Sequence, residues 1–334
     1  MTDGQPLLRT EGLTRHFKIG GGINRKTLHA VDDVSFEIGG REIVALAGES
    51  GSGKSTVARL LARVYKPTAG EIYFSGKPLS KLSSRRDELA YRGDVPMVFQ
   101  DPFGSINPVF RVSHAMLRSL KLHRPDMSKE QRVEEAQRVF DIVGLTPGAE
   151  VLNRYPHELS GGQRQRVGFA QALAMRPRLI LADEPVSMLD VSIRIGLLNL
   201  MTKLRDEQGV SILYITHDIA SARYVADRLI VMYAGQIAES GPVEDVLASP
   251  RHPYTQLLVS AVPDPKAEPV NPESIDRGEP PKVIDPTPGC RFRWRCPLAI
   301  DICHTQTPQL LPLADSHDAA CHVAQSSSVP AKAF

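Results

Sequence analysis

"REIVALAGESGSGKSTVARLLARV" spans residues 41–64. Its first half is apolar without alternation from Ile43 to Ala47, which suits a strand covered on both faces. Glycines follow. From Lys54 apolar residues return at helical spacing, with Val57, Leu60, Leu61 and Val64 on one face and Pro67 as the expected stop. Between strand and helix, "GESGSGKST" (48–56) fits G-x-x-x-x-G-K-[ST]. Gly48, Gly51 and Gly53 permit backbone geometry closed to other residues, with Glu49, Ser50 and Ser52 between them. Successive N–H groups can then point inward as an anion nest, with a helix N-terminus behind them. Lys54 is placed to reach β- and γ-phosphates, the Ser55 hydroxyl to ligate Mg²⁺, and Thr56 to donate to an α-phosphate. A plain glycine-rich turn is the bland alternative. It requires neither the preceding strand nor the following helix.

Outward from this loop, strand and helix patterns alternate. "AVDDVSFEI" (30–38) reads as one of several short strands within residues 7–46. "LILADE" ends in adjacent carboxylates, Asp183 and Glu184. "VSIRIGLLNLMTKLRDEQG" (191–209) reads as a helix stopped by glycine, and "VSILYITHD" (210–218) as another buried strand. Such alternation implies a parallel sheet covered by helices on both faces, an α/β fold. Ligands of open α/β sheets bind at the carboxyl ends of the strands. There Asp183 can hold Mg²⁺ beside Ser55, and Glu184 can polarise an attacking water; alone, the pair could equally be a solvated turn. "MSKEQRVEEAQRVFDIVG" (127–144) breaks the alternation. It reads as an amphipathic helix with a Ser128/Gln131 capping box, inside a helical insertion over residues 101–160.

Composition narrows the class. The chain has 334 residues and a net charge of +2, enough length for about two domains and no field that demands a polyanion. The N-terminus lacks the pattern of a signal peptide, and no apolar run approaches membrane-spanning length. Prolines become dense after Pro242, and residues 262–289 read as an irregular wrap. Cys290, Cys296, Cys303 and Cys321 are spaced C-x5-C-x6-C-x17-C. Structural zinc sites usually use closer pairs, whereas iron–sulfur ligation tolerates loose spacing. Pro297 follows Cys296, and arginines at 291, 293 and 295 would favour a net-negative cluster. His304, His317 and His322 keep Zn²⁺ open, and plain thiols are the third reading.

"LSGGQ" (159–163), just before the "LILADE" strand, resembles the signature of ABC transporter ATPase subunits. Order and spacing relative to the phosphate loop strengthen the likeness, which covers residues 7–245. It implies a P-loop NTPase, RecA-like core with a mainly parallel sheet, an N-terminal antiparallel β subdomain, a helical signature subdomain and, over residues 246–334, a small irregular C-terminal domain carrying the cysteines. It implies that Glu184 is the catalytic base, that His217 in "YITHD" is the switch histidine, and that Gln100 in "MVFQD" senses Mg²⁺. Asp190 in "SMLD" matches the D-loop, with Met188 where alanine is common. Phe17 sits where an aromatic stacks on adenine, with His16 the neighbouring alternative. Leu159, Ser160, Gly161, Gly162 and Gln163 are expected to close on the ATP of a head-to-tail partner. As a bare helix cap, "SGGQ" needs no partner.

"DPFGSINP" (101–108), "RHPYTQLLVSAVP" (251–263) and "GCRFRWRCPLAIDIC" (289–303) resemble the dipeptide/oligopeptide importer ATPases. Some of those carry a [4Fe-4S] cluster in this tail, and others handle nickel or oligosaccharides. The resemblance implies ATP and Mg²⁺ as ligands and a second, different ATPase subunit as the usual dimer partner. It also implies two transmembrane permeases, an extracytoplasmic substrate-binding protein, and a peripheral place on the cytoplasmic face of the inner membrane. No nucleic acid is expected. Soluble ABC machines for DNA repair or translation carry long coiled coils or two cassettes, and a degenerate interaction protein would lack the catalytic residues.

Overall fold

The computed structural model describes residues 5–21, 25–101, 104, 106–261, 281–314 and 316–326. Most of the proline-rich wrap and part of "DPFGSINP" therefore lie outside the described residues. The strands are β1 (Leu8–Ile19), β2 (Lys26–Ile38), β3 (Ile43–Ala47), β4 (Ala69–Phe74), β5 (Lys77–Pro78), β6 (Met97–Val98), β7 (Leu179–Asp183), β8 (Ser211–Thr216), β9 (Arg228–Tyr233), β10 (Gln236–Pro242), β11 (Leu311–Ala314) and β12 (His317–Ala319). The helices used below are α1 (Lys54–Leu61), α2 (Arg85–Asp94), α3 (Val112–His123), α4 (Lys129–Ile142), α5 (Gly148–Asn153), α6 (Gly161–Ala174), α7 (Val191–Gln208), α8 (Ile219–Val225), α9 (Val243–Ala248), α10 (Pro253–Ser260), α11 (Asp301–Thr305) and α12 (His322–Gln325).

A four-stranded antiparallel sheet runs in the order β2-β1-β4-β5. A larger sheet runs β11-β12-β10-β9-β3-β8-β7-β6, parallel from β9 through β6. The apolar run of β3 has its physical reason here. Ile43, Ala45 and Ala47 pack into one core with α4, α6 and α7, while Val44 and Leu46 pack into a second core with α1 and the antiparallel sheet. Both faces are dry, so no position on β3 can be polar. β7 and β8 divide the same way: Ile180 and Tyr214 face the first core, Leu181 and Leu213 the second.

Local signals set most helix ends. Ser128 caps α4, with Gln131 Oε1 returning to the Ser128 N–H at 2.8 Å, and Ala136, Phe140 and Val143 are buried. Gly209, in the left-handed region, ends α7. Two expectations need correction. Helix α1 stops at Leu61, before Pro67: Arg63 adopts φ +54°, the chain turns there, and Val64 is 59% exposed. The N-terminal strands are long rather than short. β1 and β2 hold 12 and 13 residues, and register shifts in their pairing bend the ribbon.

The tail does not stand apart from the core. β12 pairs with β10 and extends the large sheet. A buried carboxylate fixes the join: Glu239 on β10 accepts the N–H groups of Arg251 and His252, at 2.7 and 2.8 Å, and lies 2.6 Å from His317 Nε2. Every polar contact of a buried charge counts here, because an unpaired one would cost several kcal/mol, about 3–5.

Candidate nucleotide site

Parallel pairing brings the chemistry together. Ala47 is level with Thr216, and Asp183 with Ile215, so the phosphate loop, His217 and Glu184 leave the same edge of the sheet. Val98 on β6 is level with Ala182 on β7, which sets Gln100 beside Glu184 two residues later. Gly53 caps α1 at φ +106°, and a Cβ there would stand 2.4 Å from the Ala30 carbonyl oxygen. Only glycine fits that turn.

Lys54 is buried, its Nζ donating to the carbonyls of Gly48 (2.8 Å) and Glu49 (2.9 Å). Burial pulls its pKa below the ordinary lysine value, opposed by the charges of Glu184, Asp183 and Glu49. Ser55 Oγ donates to Asp183 Oδ1 at 2.9 Å. Burial pushes the Asp183 carboxyl above its usual range, and the Ser55 bond partly offsets this. Glu184, at φ +46°, turns off β7, its N–H donating to Ile215 O at 3.0 Å. Gln100 Nε2 donates to Glu184 Oε2 at 3.1 Å, and His217 Nδ1 lies 3.1 Å from the same oxygen. These six residues form one site. The arrangement can cradle an anion, hold a divalent cation between Ser55, Asp183 and Gln100, and orient a carboxylate toward a water.

Other expected residues stand elsewhere. Ser160 Oγ accepts the Gln163 N–H at 3.2 Å and Gln163 Oε1 accepts the Ser160 N–H at 3.0 Å, a capping box that opens α6. Leu159, Val167, Ala170 and Ala174 are buried behind it. A Cβ on Gly162 would meet Ile193 Cγ2 at 2.3 Å, whereas one on Gly161 would make only an ordinary contact with Leu189. Asp190 precedes α7, beside exposed Met188 and Val191. Phe17 packs edge-on against Tyr65, with the Arg15 guanidinium 4.5 Å from its ring centre. His16 turns the other way: its Nε2 lies 2.9 Å from Asp32, and its ring stacks on His29.

The cysteines are all free. Burial raises the Cys290 thiol to about 11, the Cys296 thiol to about 12 and the Cys321 thiol as well. Each of these three also feels the charge of its neighbours, Cys303 included. Among the described residues, His16, His29 and Asp32 alone bring three ligand atoms within 4.8 Å of one another, so no three sulfurs meet that spacing. Arg291 already pairs with Asp32 there.

Sequence reasoning missed how the tail reaches the phosphate loop. Arg295 binds Glu49 through two nitrogens, at 2.8 and 3.0 Å. The Tyr254 hydroxyl accepts the Glu49 N–H at 2.8 Å. The available signal was an acidic side chain inside an anion-binding loop, which calls for a cation nearby.

Residues 31–187 match the family described as ABC transporter, and residues 238–303 match the oligopeptide/dipeptide transporter C-terminal region. A putative peptide import ATP-binding protein of Brucella ovis is 43% identical over 95% of this chain and 97% of its own length. The chain belongs to the ABC transporter family, among its ATP-binding proteins. The oligopeptide transport ATP-binding protein AppF of Bacillus subtilis is 41% identical over 96% of this ABC protein and 98% of the relative. Among solved structures, the dimeric ATP-binding cassette MJ0796 in a post-hydrolysis state with ADP and Pi is 30% identical, covering 71% of this chain and 98% of that one at a TM-score of 0.62. CbiO1 of Clostridium perfringens, part of an ABC transporter complex, is 26% identical over 73% of this chain and 91% of its own, with a TM-score of 0.63. The ABC protein described here is thus an ATPase that works with membrane permeases. Among its described residues no helix is long and apolar enough to cross a membrane.

Proposed function

We propose that this ABC ATPase powers uptake of dipeptides and oligopeptides through two partner permeases. The observation that carries the reading is the joining of an ATPase strand edge to the oligopeptide/dipeptide C-terminal region, through β10 in the same sheet, with 41–43% identity to relatives named for peptide import and oligopeptide transport. ATP lies along the phosphate loop, with Lys54 on its β- and γ-phosphates and Phe17 against its adenine. Ser55, Asp183 and Gln100 would hold Mg²⁺, which when bound would supply positive charge against the phosphates. Glu184, oriented by Gln100 and His217, takes the proton of the attacking water. His217 also donates toward the γ-phosphate.

The second half of the site comes from a head-to-tail partner, a different ATPase subunit, whose signature turn covers the ATP. Exposed Met188, Val191 and Ile195 beside the Asp190 turn support a docking face there. The complex sits on the cytoplasmic face of the inner membrane, with an extracytoplasmic binding protein delivering cargo. Residues 7–245 form the ATPase domain and residues 246–334 its extension. Co-purification with two permeases and ATP-dependent uptake of a labelled tripeptide test the reading; turnover without any peptide uptake would overturn it.

Cys290, Cys296, Cys303 and Cys321 hold a [4Fe-4S] cluster, which cross-links a segment with little core of its own. Two observations support it over Zn²⁺. Cys290 and Cys296 stand beside Arg291, Arg293 and Arg295 in the chain, which suit a net-negative cluster; and among the described residues no three of the sulfurs lie within 4.8 Å of one another, whereas a tetrahedral zinc would need them about 3.8 Å apart. Iron and sulfide in anaerobically purified protein, with a visible absorption band, are expected. Stoichiometric zinc would reject the cluster.

A further inference from the structure

An anion-binding loop with a carboxylate inside it works against itself. Glu49 is the residue after Gly48, and its charge reaches Lys54. Left alone, it would repel incoming phosphates at short range and in a partly dry site, where such repulsion is strong. It is not left alone. Arg295 meets both its oxygens in a two-pronged pair, and the Arg295 side chain is 10% exposed. That pairing holds the guanidinium above its ordinary pKa, so it stays charged. Arg295 also leans on the aromatic cluster of Tyr233 and Phe292, which fixes its approach.

The position of Arg295 in the chain matters as much. It immediately precedes Cys296, and Arg291 immediately follows Cys290. Arg291 grips Asp32 and the Ala234 carbonyl. The next residue, Gly235, accepts the Asp32 N–H and donates to Ser52 O, both at 2.9 Å. Of the two arginines beside the first two cysteines, Arg295 thus holds the phosphate loop directly, and Arg291 holds the Ala234–Gly235 turn that donates to it.

We propose that Arg295 is a positioning residue for the nucleotide site: it neutralises and holds Glu49 inside the phosphate loop, so that the order of the cysteine segment is read out as ATP affinity. This rests on the phosphate loop being the ATP site. A four-thiol segment that loosens withdraws Arg295, exposes the Glu49 charge to the phosphates and weakens nucleotide binding. Lys54 and Glu184 need not move.

The test is ATP affinity of the full-length protein, measured by displacement of a fluorescent ATP analogue, with thermal melting as a check on folding. Arg295→Gln should raise the ATP Kd by about tenfold or more. Glu49→Gln in the same chain should restore most of that loss, because the offending charge is gone. Cys296→Ser should also raise the Kd, and by much less when Glu49→Gln is present. A structural role alone predicts no rescue, since Glu49→Gln rebuilds no packing. Should Arg295→Gln melt before it can be measured, Arg295→Lys keeps the charge, loses the fork, and should show a smaller rise that Glu49→Gln again removes. An unchanged Kd in a folded Arg295→Gln protein, or a loss that Glu49→Gln does not rescue, overturns the proposal. Lys54→Ala separates the two layers: if it leaves ATP binding intact, the site itself has been misplaced; if it abolishes binding while Arg295→Gln does nothing, only this inference fails.

Discussion

His217 Nδ1 and Glu184 Oε2 lie 3.1 Å apart, although 33 residues separate them in the chain. Adjacent parallel strands make this contact. β7 and β8 end level with each other, and each releases its functional side chain immediately past the last strand residue. Gln100 reaches the same oxygen from the far side. One carboxylate oxygen is therefore fixed by two polar partners, which sets the orientation of the whole carboxylate.

Lys54 is the first test of the cradle. Lys54→Ala removes the cation that reaches the phosphates. ATP turnover should fall by about 100-fold or more, as for loss of a single preorganised donor. A phosphate-release assay reads this directly.

Phe17 and His16 make opposite predictions. Phe17→Ala should weaken ATP binding by the worth of one base stack, about 1–3 kcal/mol, and Phe17→Trp should keep it. His16 is held by Asp32 and His29, so His16→Ala should leave adenine binding intact. Competition between ATP and inorganic triphosphate separates adenine from phosphate contributions.

The two glycines of the signature are not equivalent. Gly162→Ala drives a methyl into Ile193 and should cost about 1–3 kcal/mol of stability. Gly161→Ala meets nothing closer than 3.6 Å and should leave the melting temperature unchanged or higher. Any loss of turnover in Gly161→Ala then reports contact with the partner's nucleotide rather than folding.

How much of this was legible in the residues depends on range. The phosphate loop, the paired carboxylates and the signature cap are local, and their spacing alone placed them on strand ends and a helix start. The continuous apolar run of β3 announced burial on both faces. The end of α1 was misjudged because Pro67 is a conspicuous stop, while the turn at Arg63 depends on a left-handed conformation that no residue type there announces. Arg295 and Glu49 are 246 residues apart, and no periodicity links them. The tail's several attachments, through β12 and Glu239, through Val283 and Asp285 against β2, and through Arg291 on Asp32, bring them together.

That attachment should be sensitive to acid. His252 is fully buried and its Nδ1 accepts the Tyr254 N–H at 3.0 Å, so the folded state needs it neutral. Burial lowers its pKa from 6.5 to about 4, only partly opposed by Glu239. The unfolded chain takes up a proton below 6.5 and the folded chain does not until about 4, so stability is full above 6.5 and declines across that window. Between pH 7.5 and 5 the loss from this group should be about 2 kcal/mol by urea denaturation, and His252→Asn should remove it.

Glu184→Gln is the measurement that bears most directly on the whole account. With Mg²⁺ and ATP, the variant should bind nucleotide as well as the parent, lose about 10²–10⁴ of its turnover, and accumulate a closed dimer with its partner subunit on size exclusion. Hydrolysis at the parental rate, or nucleotide held by a single uncovered subunit throughout turnover, would contradict it.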